Sequence, residues 1–371
     1  MKPKVNFYQA LIITIFLLAL FFLTIIFSII QLRPETGIRK GQNVLAKKIF
    51  YKGDIGKIRT IQVGNHNSSL SKKIFILSQN KCLLFDVKMH ELVKTIKFKK
   101  EVGVRPEVLK IEPDGKLEFI LRGGGFGDVG VANTNGELRW KYRPTGTSPS
   151  MTSGDLDGDG NLEFYVADYD GLHRLDSSGE EQWRTNDFWE WDVQIFQPEG
   201  VDESQIITRG DDGKIRFRNK HGKIIKDIGP PERIYDIEAV QWLSKAYLLA
   251  KDEDRCIILM DLDGKVILKY CYEQEWFFNL PFGNYFYILA VRATPIKLRI
   301  NEEPYLAVIT DFASYISRTM LNIFSPSGEL VYQELLKSTT GLNVIQNDDG
   351  TESLLVGDGG ENVWLYTVNQ E

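Results

Sequence analysis

Hydrophobic residues follow two patterns along the chain. Phe7 to Ile30 form one run without charge, Pro or Gly, whereas from about Val44 onward the apolar residues come in short runs bounded by Gly, Asp or Asn. The short runs are rich in β-branched and aromatic residues, as in KKIFILS, KIRFRN, RCIILMD, YFYILAV and NVWLYTV. Such runs are typical of β-strands, and no amphipathic segment in this region is long enough to predict a helix. The pattern therefore predicts one N-terminal helix and an all-β body.

The N-terminal run is long enough to cross a membrane. As a helix it would span roughly 36 Å at ~1.5 Å per residue, which exceeds the ~30 Å hydrocarbon core of a bilayer. A signal peptide has a shorter apolar core and a small-residue cleavage site, and neither precedes the sequence QLRPETG. We predict an uncleaved anchor: residues 1–31 form a short cytoplasmic tail and a transmembrane helix, residues 32–43 a polar linker, and residues 44–371 the folded domain.

The all-β body repeats itself about every 43 residues. The sequences NGELRWKY and SGEEQWR align Trp140 with Trp183, an offset of 43 residues. The turn glycines continue this period at intervals of 42 or 43 residues: Gly136, Gly179, Gly222 and Gly264. Repeats of this length, each with about four short strands, are typical of the blades of a β-propeller. A tandem β-sandwich is the alternative.

The turns divide the body into seven units. The last unit, near residues 341–369, has room for only three strands, and the sequence VLAKKIFY from Val44 to Tyr51 can supply the fourth. A strand from the N-terminus would close the ring and leave no open sheet edge. We therefore predict an all-β fold, a seven-bladed β-propeller preceded by one N-terminal transmembrane helix.

One loop of the predicted third blade concentrates carboxylates. In GDLDGDGNLEF (residues 154–164), three Asp residues occupy alternate positions and repel one another, so they need either a cation or a solvated turn. Ca²⁺ takes six to eight hard oxygen ligands, which alternate residues of a curled loop can supply. An EF-hand is disfavoured, because position 12 is Val166 in a predicted strand. The predicted ligands of a structural Ca²⁺ are the side chains of Asp155, Asp157, Asp159 and Glu163 and the main-chain carbonyl of Asn161, with a solvated acidic turn as the alternative.

These motifs carry a family resemblance. GDLDGDGNLEF resembles the calcium loop of FG-GAP or VCBS repeats, propeller modules of integrin α subunits and many bacterial surface proteins. The turns VANTNGELRWKY and LDSSGEEQWR are similar to the Gly-x-x-x-Trp motif of pyrroloquinoline-quinone-like (PQQ-like) propeller repeats. The resemblance implies a propeller in which a metal ion fixes one loop. Glu163 stands where Asp is commoner in that family.

The charges beside the apolar run do not decide its orientation. Lys2 and Lys4 precede it, while Arg33, Arg39 and Lys40 follow it, so the positive-inside rule is ambiguous or even opposed. A short tail before a first span usually stays in the cytosol, and a loop suited to millimolar Ca²⁺ is useful only outside it. We predict a single-pass membrane protein with the propeller on the extracytoplasmic side.

Two of the three cysteines flank one predicted hairpin. Cys256 and Cys271 bound the sequence CIILMDLDGKVILKYC, and a two-residue turn at Asp263 and Gly264 would place Leu262 opposite Lys265 and the cysteines opposite each other. A three-residue turn would shift the register by one and separate them. A disulfide between Cys256 and Cys271 and a pair of reduced thiols are both open.

Two predicted connections between blades are unusually aromatic. NDFWEWD contains Phe188, Trp189 and Trp191, and EQEWFFNLPFGNY contains three further rings, Trp276, Phe277 and Phe278. Exposed rings of this kind are enriched at binding hot spots, and we expect Glu190 and Asp192 to help orient a partner. The alternative is that the rings plug the central channel or pack between blades.

Composition and motifs favour binding over catalysis. The net charge of −5 gives no indication of a nucleic-acid partner. The four histidines, His66, His90, His173 and His221, lack the spacing of metal ligands or of a catalytic cluster. We predict a membrane-anchored binding or scaffolding module for an unknown protein or glycan. A propeller enzyme, either a quinoprotein-like oxidoreductase or a polysaccharide-lyase-like protein, is the alternative.

Overall fold

The computed structural model describes most of the chain. The described residues are 7–31, 36–53, 55–56, 58–65, 72–78, 80–88, 91–98, 104–111, 117–123, 128–146, 150–197, 204–230, 233–252, 255–272, 287–313, 317–359 and 362–369. The predicted aromatic residues Trp276, Phe277 and Phe278 lie outside them.

A single apolar helix precedes the sheets of the described chain. Helix α1 spans Phe7–Gln31, and its segment Tyr8–Ile26 is long and apolar enough to cross a membrane. None of that segment is buried against the rest of the protein. The predicted N-terminal helix of membrane-span length is therefore confirmed.

The strands form seven sheets of a β-propeller, as predicted. Strands β1 (Gly37–Lys40) and β2 (Leu45–Lys52) follow the helix and join the last two blades. The first three blades contain β3 (Thr60–Asn65), β4 (Lys72–Leu77), β5 (Lys81–Asp86) and β6 (Leu92–Lys97); β7 (Val104–Ile111), β8 (Leu117–Gly123), β9 (Val129–Ala132) and β10 (Leu138–Tyr142); and β11 (Ser150–Gly154), β12 (Glu163–Asp168), β13 (Gly171–Leu175) and β14 (Glu181–Arg184).

The remaining blades repeat the same up-and-down order. Blade four contains β15 (Glu190–Phe196), β16 (Gln205–Gly210), β17 (Ile215–Arg218) and β18 (Ile224–Ile228), and blade five β19 (Ile234–Trp242), β20 (Lys245–Asp252), β21 (Cys256–Asp261) and β22 (Val266–Cys271). Blade six contains β23 (Tyr287–Ile296), β24 (Tyr305–Ala313), β25 (Arg318–Phe324) and β26 (Leu330–Lys337), and blade seven β27 (Leu342–Gln346), β28 (Glu352–Gly357) and β29 (Asn362–Val368).

The N-terminal strand closes the ring. Strand β2 pairs antiparallel with β29, from Leu45 opposite Val368 to Lys52 opposite Asn362, and so becomes the fourth strand of blade seven. Its buried Leu45 joins a core shared with blade six. The Lys47 ammonium lies 2.6 Å from the buried carboxylate of Glu334 in blade six. The predicted role of Val44 to Tyr51 is thus confirmed by the pairing.

Part of the segment expected to be a polar linker also belongs to the propeller. Strand β1 pairs antiparallel with β26 and gives blade six a fifth, outermost strand. Gly37 lies opposite Leu335, close to the end of β26 from which the chain passes to blade seven. The chain that follows the helix is therefore tied to blade six before it closes blade seven.

The repeat of 43 residues reflects contact between neighbouring blades. Trp140 on the outer strand of blade two packs on Gly179 in the turn of blade three, and its indole N–H donates to the Ser177 carbonyl at 3.1 Å. A Cβ atom on Gly179 would lie 2.5 Å from this ring, and its φ of +87° also favours glycine. Trp183 packs on Gly222 of the next blade in the same way. At these two junctions the outer strand of one blade supplies a ring and the next blade supplies the turn glycine that the ring covers.

The propeller has two distinct faces, defined by strand direction. Links from one blade to the next, such as residues 185–189, and the turns between second and third strands, such as residues 211–214, lie on one side, which we call the connection face. Loops between first and second strands, such as residues 155–162 and 347–351, lie on the other side, which we call the loop face. Gly37 is on the connection face, because it pairs near the outgoing end of β26.

Candidate functional site

The acidic loop lies on the loop face between β11 and β12, where the sequence predicts it. Four carboxylates, those of Asp155, Asp157, Asp159 and Glu163, each offer an oxygen within 4.8 Å of the others. The turn is shaped by its own hydrogen bonds, since Asp155 accepts from the backbone N–H groups of Gly158 at 2.7 Å and Gly160 at 3.0 Å. Gly160 has a φ of +87°, which the sharp turn requires. The four predicted side-chain ligands therefore converge.

A guanidinium that the sequence analysis missed lies against this loop. Arg174 on β13 donates to Asp157 at 2.6 Å and lies 3.3 Å from Glu163. Burial raises the pKa of Glu163, whereas for Asp157 the hydrogen bond and charge of Arg174 outweigh the effect of burial and lower the pKa. A Ca²⁺ ion in the loop would either share these oxygens with Arg174 or displace it. The pairing of β13 with β12 places Arg174 opposite Tyr165, two residues after Glu163 at the end of the loop.

The three described aromatic residues of the connection between blades three and four differ in exposure. Trp189 is 55% exposed and Phe188 42% exposed. Phe188 covers the Arg216 guanidinium, whose central carbon is 3.7 Å from the ring centroid. Trp191 lies in β15 and is partly buried, with its N–H donating to Asp211 at 3.2 Å. The rings of Trp189 and Trp191 both lie 5.2 Å from that of Tyr169. Of these three described rings, Trp189 and Phe188 are the most exposed to a partner.

Glu190 does not face a partner, contrary to expectation. Its side chain is buried, and its carboxylate accepts a hydrogen bond from the buried Arg218 at 2.7 Å. Arg218 also donates to Asp187 at 2.8 Å, so two acids of the aromatic connection are tied to one arginine. Burial raises the pKa of Glu190 despite this pairing. The hydrogen bonds from Arg218 to these two acids therefore fix the connection between blades three and four to blade four.

Asp192 also has an internal partner. Its carboxylate accepts a hydrogen bond from Arg209 at 2.7 Å, and Arg209 itself is buried. Arg209 and Gly210 end strand β16 and Asp211 begins the turn that follows, so the sequence Arg209 to Asp211 does not present its arginine to a partner. Asp192 lines the central channel instead of the outer surface.

A polar channel runs through the centre of the ring. It has a volume of about 860 Å³ and is lined mainly by the first strands of several blades. Its charged lining combines acids and bases: Arg59, Asp192, Arg209, Asp236, Glu238, Lys251 and Arg292. Arg292 lies 3.6 Å from Asp236 and 3.9 Å from Glu238, and the backbone N–H of Val291 donates to Asp236. No motif in the sequence marks this group, because its members come from separate blades.

We expect the channel to make the stability of the fold depend on pH. Burial raises the pKa of Glu238 to about 7 from its ordinary 4.5, with Arg292 opposing the shift. The folded state then binds more protons than the unfolded state between these values, so stability falls as the pH rises from 4.5 to about 7. We expect Glu238→Gln to flatten this dependence and to stabilise the fold at pH 8 by about 1–3 kcal/mol.

Denaturant unfolding measured from pH 4.5 to 8 checks this prediction. Glu180→Gln, in the exposed turn after β13, is the matched control and should retain the wild-type pH dependence. A Glu238→Gln curve parallel to that of the wild type would contradict the assignment.

Cys256 and Cys271 form a disulfide in the structure. They lie directly opposite each other on β21 and β22. The turn is longer than the two-residue type considered above. The Asp261 N–H donates to the Lys265 carbonyl across it. The first paired residues are Met260 and Val266, not Leu262 and Lys265. A β-bulge between Leu259 and Met260 restores the register further along, which brings the cysteines together. Cys82 is buried and reduced, and burial raises its pKa.

The comparisons with known proteins identify a fold but no family. No protein-family model matches the chain, and no curated protein matches it. Among solved structures, BBS1N in complex with ARL6DN, soaked with mercury, has a TM-score of 0.57 at 11% sequence identity. The same complex soaked with lead has a TM-score of 0.56 at 12% identity, and each alignment covers 89% of this chain and 97% of the other. At such low identity the similarity shows a shared propeller fold and nothing finer.

Proposed function

We propose that the chain is a membrane-anchored binding module that presents its propeller to a protein or glycan on the extracytoplasmic side. The observation that carries this proposal is the pair of exposed rings, Phe188 and Trp189, on the connection face of a closed ring. Large rings are costly to leave in water and are favoured at binding hot spots. The structurally similar BBS1N is itself in complex with another protein, ARL6DN, which is in keeping with a binding role for this architecture.

Two features support anchoring and an extracytoplasmic location. The apolar segment Tyr8–Ile26 of helix α1 packs against nothing in the described protein, as a membrane span requires. The disulfide between Cys256 and Cys271 is typical of oxidising compartments and rare in the cytosol. The first feature supports a helix that is retained in the membrane, and the second supports a propeller outside the cytosol.

The binding role can be tested by capturing partners from intact membranes. We expect Trp189→Ala to keep the wild-type melting temperature, because the ring is more than half exposed, and to lose most partner capture. Truncation of a hot-spot Trp typically costs ~2–4 kcal/mol, which is roughly a 30- to 1,000-fold loss of affinity. Quantitative pull-down with the full-length chain, followed by thermal unfolding, measures both effects.

Ile225→Ala on the outer strand β18 is the matched control, since this exposed apolar residue lies away from the connection face. Equal capture by wild type and Trp189→Ala would remove the aromatic site. An early-melting Trp189→Ala protein would instead make Trp189 a packing residue.

We also propose that the acidic loop binds one structural Ca²⁺. The convergence of Asp155, Asp157, Asp159 and Glu163 supports this assignment, and the Asn161 carbonyl supplies a further oxygen. By analogy with other extracellular modules the affinity is of order 10⁻⁴ to 10⁻³ M. The ion would fix the turn between β11 and β12, as Arg174 does in part.

Calcium should therefore stabilise the folded protein. Free Ca²⁺ at about ten times the dissociation constant adds roughly 1.4 kcal/mol by mass action. We expect this shift in calorimetry of the wild type and its loss in Asp157→Asn. Asp349→Asn, in the corresponding loop of blade seven, is the control and should respond as the wild type does. An unchanged melting temperature in excess Ca²⁺ would contradict the site.

A further inference from the structure

We infer that Arg174 competes with Ca²⁺ for the acidic loop: its guanidinium holds Asp157 and Glu163 until the ion binds, and then moves to the hydroxyl of Tyr165. This role rests on the calcium site proposed above. It makes Arg174 the residue that sets how much calcium the loop requires.

A single nitrogen of Arg174 contacts both acids. Its Nη2 lies 2.6 Å from Oδ2 of Asp157 and 3.3 Å from Oε1 of Glu163. The other oxygen of each acid accepts from the loop backbone: Oδ1 of Asp157 from the Asp159 N–H at 3.3 Å, and Oε2 of Glu163 from the Leu156 N–H at 2.9 Å. The two oxygens that face Arg174 are therefore the ones that an ion bridging these acids would use.

A calcium ion and the guanidinium do not fit on these oxygens together. Ca²⁺ binds carboxylate oxygens directly, at ~2.3 to 2.6 Å, so a guanidinium on the same oxygens would lie close to a like charge in a partly buried site. The backbone N–H groups that also donate to the acids are fixed in the turn, whereas a side chain can move. Arg174 is therefore the group that leaves.

A buried hydroxyl beside Arg174 provides a new partner for the released side chain. Tyr165 lies directly opposite Arg174 across β12 and β13, and it is fully buried. Among the described residues, neither the Tyr165 hydroxyl nor Nε of Arg174 has a hydrogen-bond partner. Burial and then the charge of Glu163 raise the pKa of Tyr165, so its hydroxyl stays neutral. Buried polar groups without partners are costly, and a hydrogen bond from Arg174 to Tyr165 would satisfy both.

Blade two shows that an arginine is the partner of this glutamate in the repeat. Glu118 precedes Glu163 by 45 residues and lies in the same short sequence, LEF. It is buried and forms an ion pair with Arg139. The fold thus provides a guanidinium for the glutamate in both blades, and an ion that binds Glu163 has to replace it.

This competition sets the calcium concentration at which the loop fills. Before the ion binds, Arg174 neutralises part of the charge of the four carboxylates and holds the turn. Its contacts must break on binding, which weakens the apparent affinity for calcium. The loop therefore responds to calcium of order 10⁻⁴ to 10⁻³ M, as extracellular modules do, and not to the lower concentrations that cytosolic sensors detect.

Calcium titration calorimetry of the full-length protein in detergent micelles tests the competition. We expect Ca²⁺ to bind Arg174→Met about 10-fold more tightly than the wild type, because charge-assisted hydrogen bonds no longer have to be broken. Arg184→Met in the same blade is the matched control. Its guanidinium pairs with Asp170 and Glu181 instead of the loop, so this variant should bind Ca²⁺ as the wild type does.

Tyr165→Phe tests the second step without changing the charge of the site. It removes the acceptor of the released guanidinium, so we expect Ca²⁺ to bind several-fold more weakly. Stability without calcium should match the wild type, because the hydroxyl makes no hydrogen bond within the described part of the protein. This variant tests the inference even if Arg174→Met does not fold.

Equal or weaker binding by Arg174→Met would overturn the competition and leave the calcium site in place, with Arg174 only supporting the loop. Wild-type affinity in Tyr165→Phe would overturn the transfer to Tyr165. Binding by Arg174→Met but not by the wild type would support the competition and refute the calcium site of the native loop. Absence of binding in every variant would remove both the calcium site and the inferred role of Arg174.

Discussion

Replacing the closing strand with a flexible sequence is expected to abolish cooperative unfolding of the propeller. The change substitutes Leu45–Lys52 with Gly and Ser residues of equal number, so the chain still reaches blade one. It leaves β29 as an open edge and removes Leu45 from the core shared with blade six. It also removes Lys47, whose ammonium is 2.6 Å from the buried Glu334. An uncompensated buried charge alone costs ~3–5 kcal/mol, comparable to a large part of the stability of a typical domain.

The same replacement of Gly37–Lys40 is the control. Strand β1 only extends blade six from the outside, and two of its four residues are exposed, so the ring remains closed. We expect this variant to lose about 1–2 kcal/mol and to unfold in one transition. If the β2 replacement melts no earlier than the β1 replacement, closure by the N-terminal strand does not stabilise the ring. Thermal unfolding by calorimetry separates the two results.

Arg218→Met is expected to destabilise the fold by about 3–5 kcal/mol, because it leaves the buried Glu190 without its closest cation. The variant also releases Asp187, which Arg218 holds at 2.8 Å, so the link that carries Phe188 and Trp189 should loosen. We therefore expect a lower denaturant midpoint and faster proteolysis within residues 185–189. Both changes follow from one lost guanidinium.

Lys214→Met is the matched control for this prediction. Lys214 and Asp227 form an ion pair at 3.1 Å with both side chains 49% exposed, and such pairs contribute less than about 1 kcal/mol. Similar losses of stability in the two variants would show that the arginine cluster is not the element that fixes the aromatic link.

The repeat and the closing strand could be predicted from sequence because they depend on local signals. Turn glycines such as Gly179 must adopt positive φ, and Trp140 must meet the next turn, so both recur at a fixed spacing. The alternation of carboxylates in GDLDGDGNLEF likewise places its oxygens together within one short loop. Features that depend on neighbouring residues, such as turns and short loops, can be predicted without knowledge of the tertiary structure.

Contacts between distant parts of the chain were not predictable in this way. From the sequence alone, Glu190 is expected to be an exposed acid beside tryptophans. The structure shows that β17 packs against the link between blades three and four, where Arg218 donates a hydrogen bond to the buried Glu190. The register of the cysteine hairpin depended on a bulge between Leu259 and Met260 that leaves no distinct mark in the sequence. Strand β1 was hidden within a polar segment, because its pairing with β26 uses backbone groups and little hydrophobic surface.

Protease treatment of intact cells tests the central claim, a membrane-retained propeller outside the cytosol, most directly. The full-length chain carries a tag after Glu371, and the membranes are washed with carbonate before detection. We predict that the tag stays with the washed membranes and is removed by protease added to intact cells. A tag found in the soluble fraction, or one protected until the cells are lysed, would contradict the account.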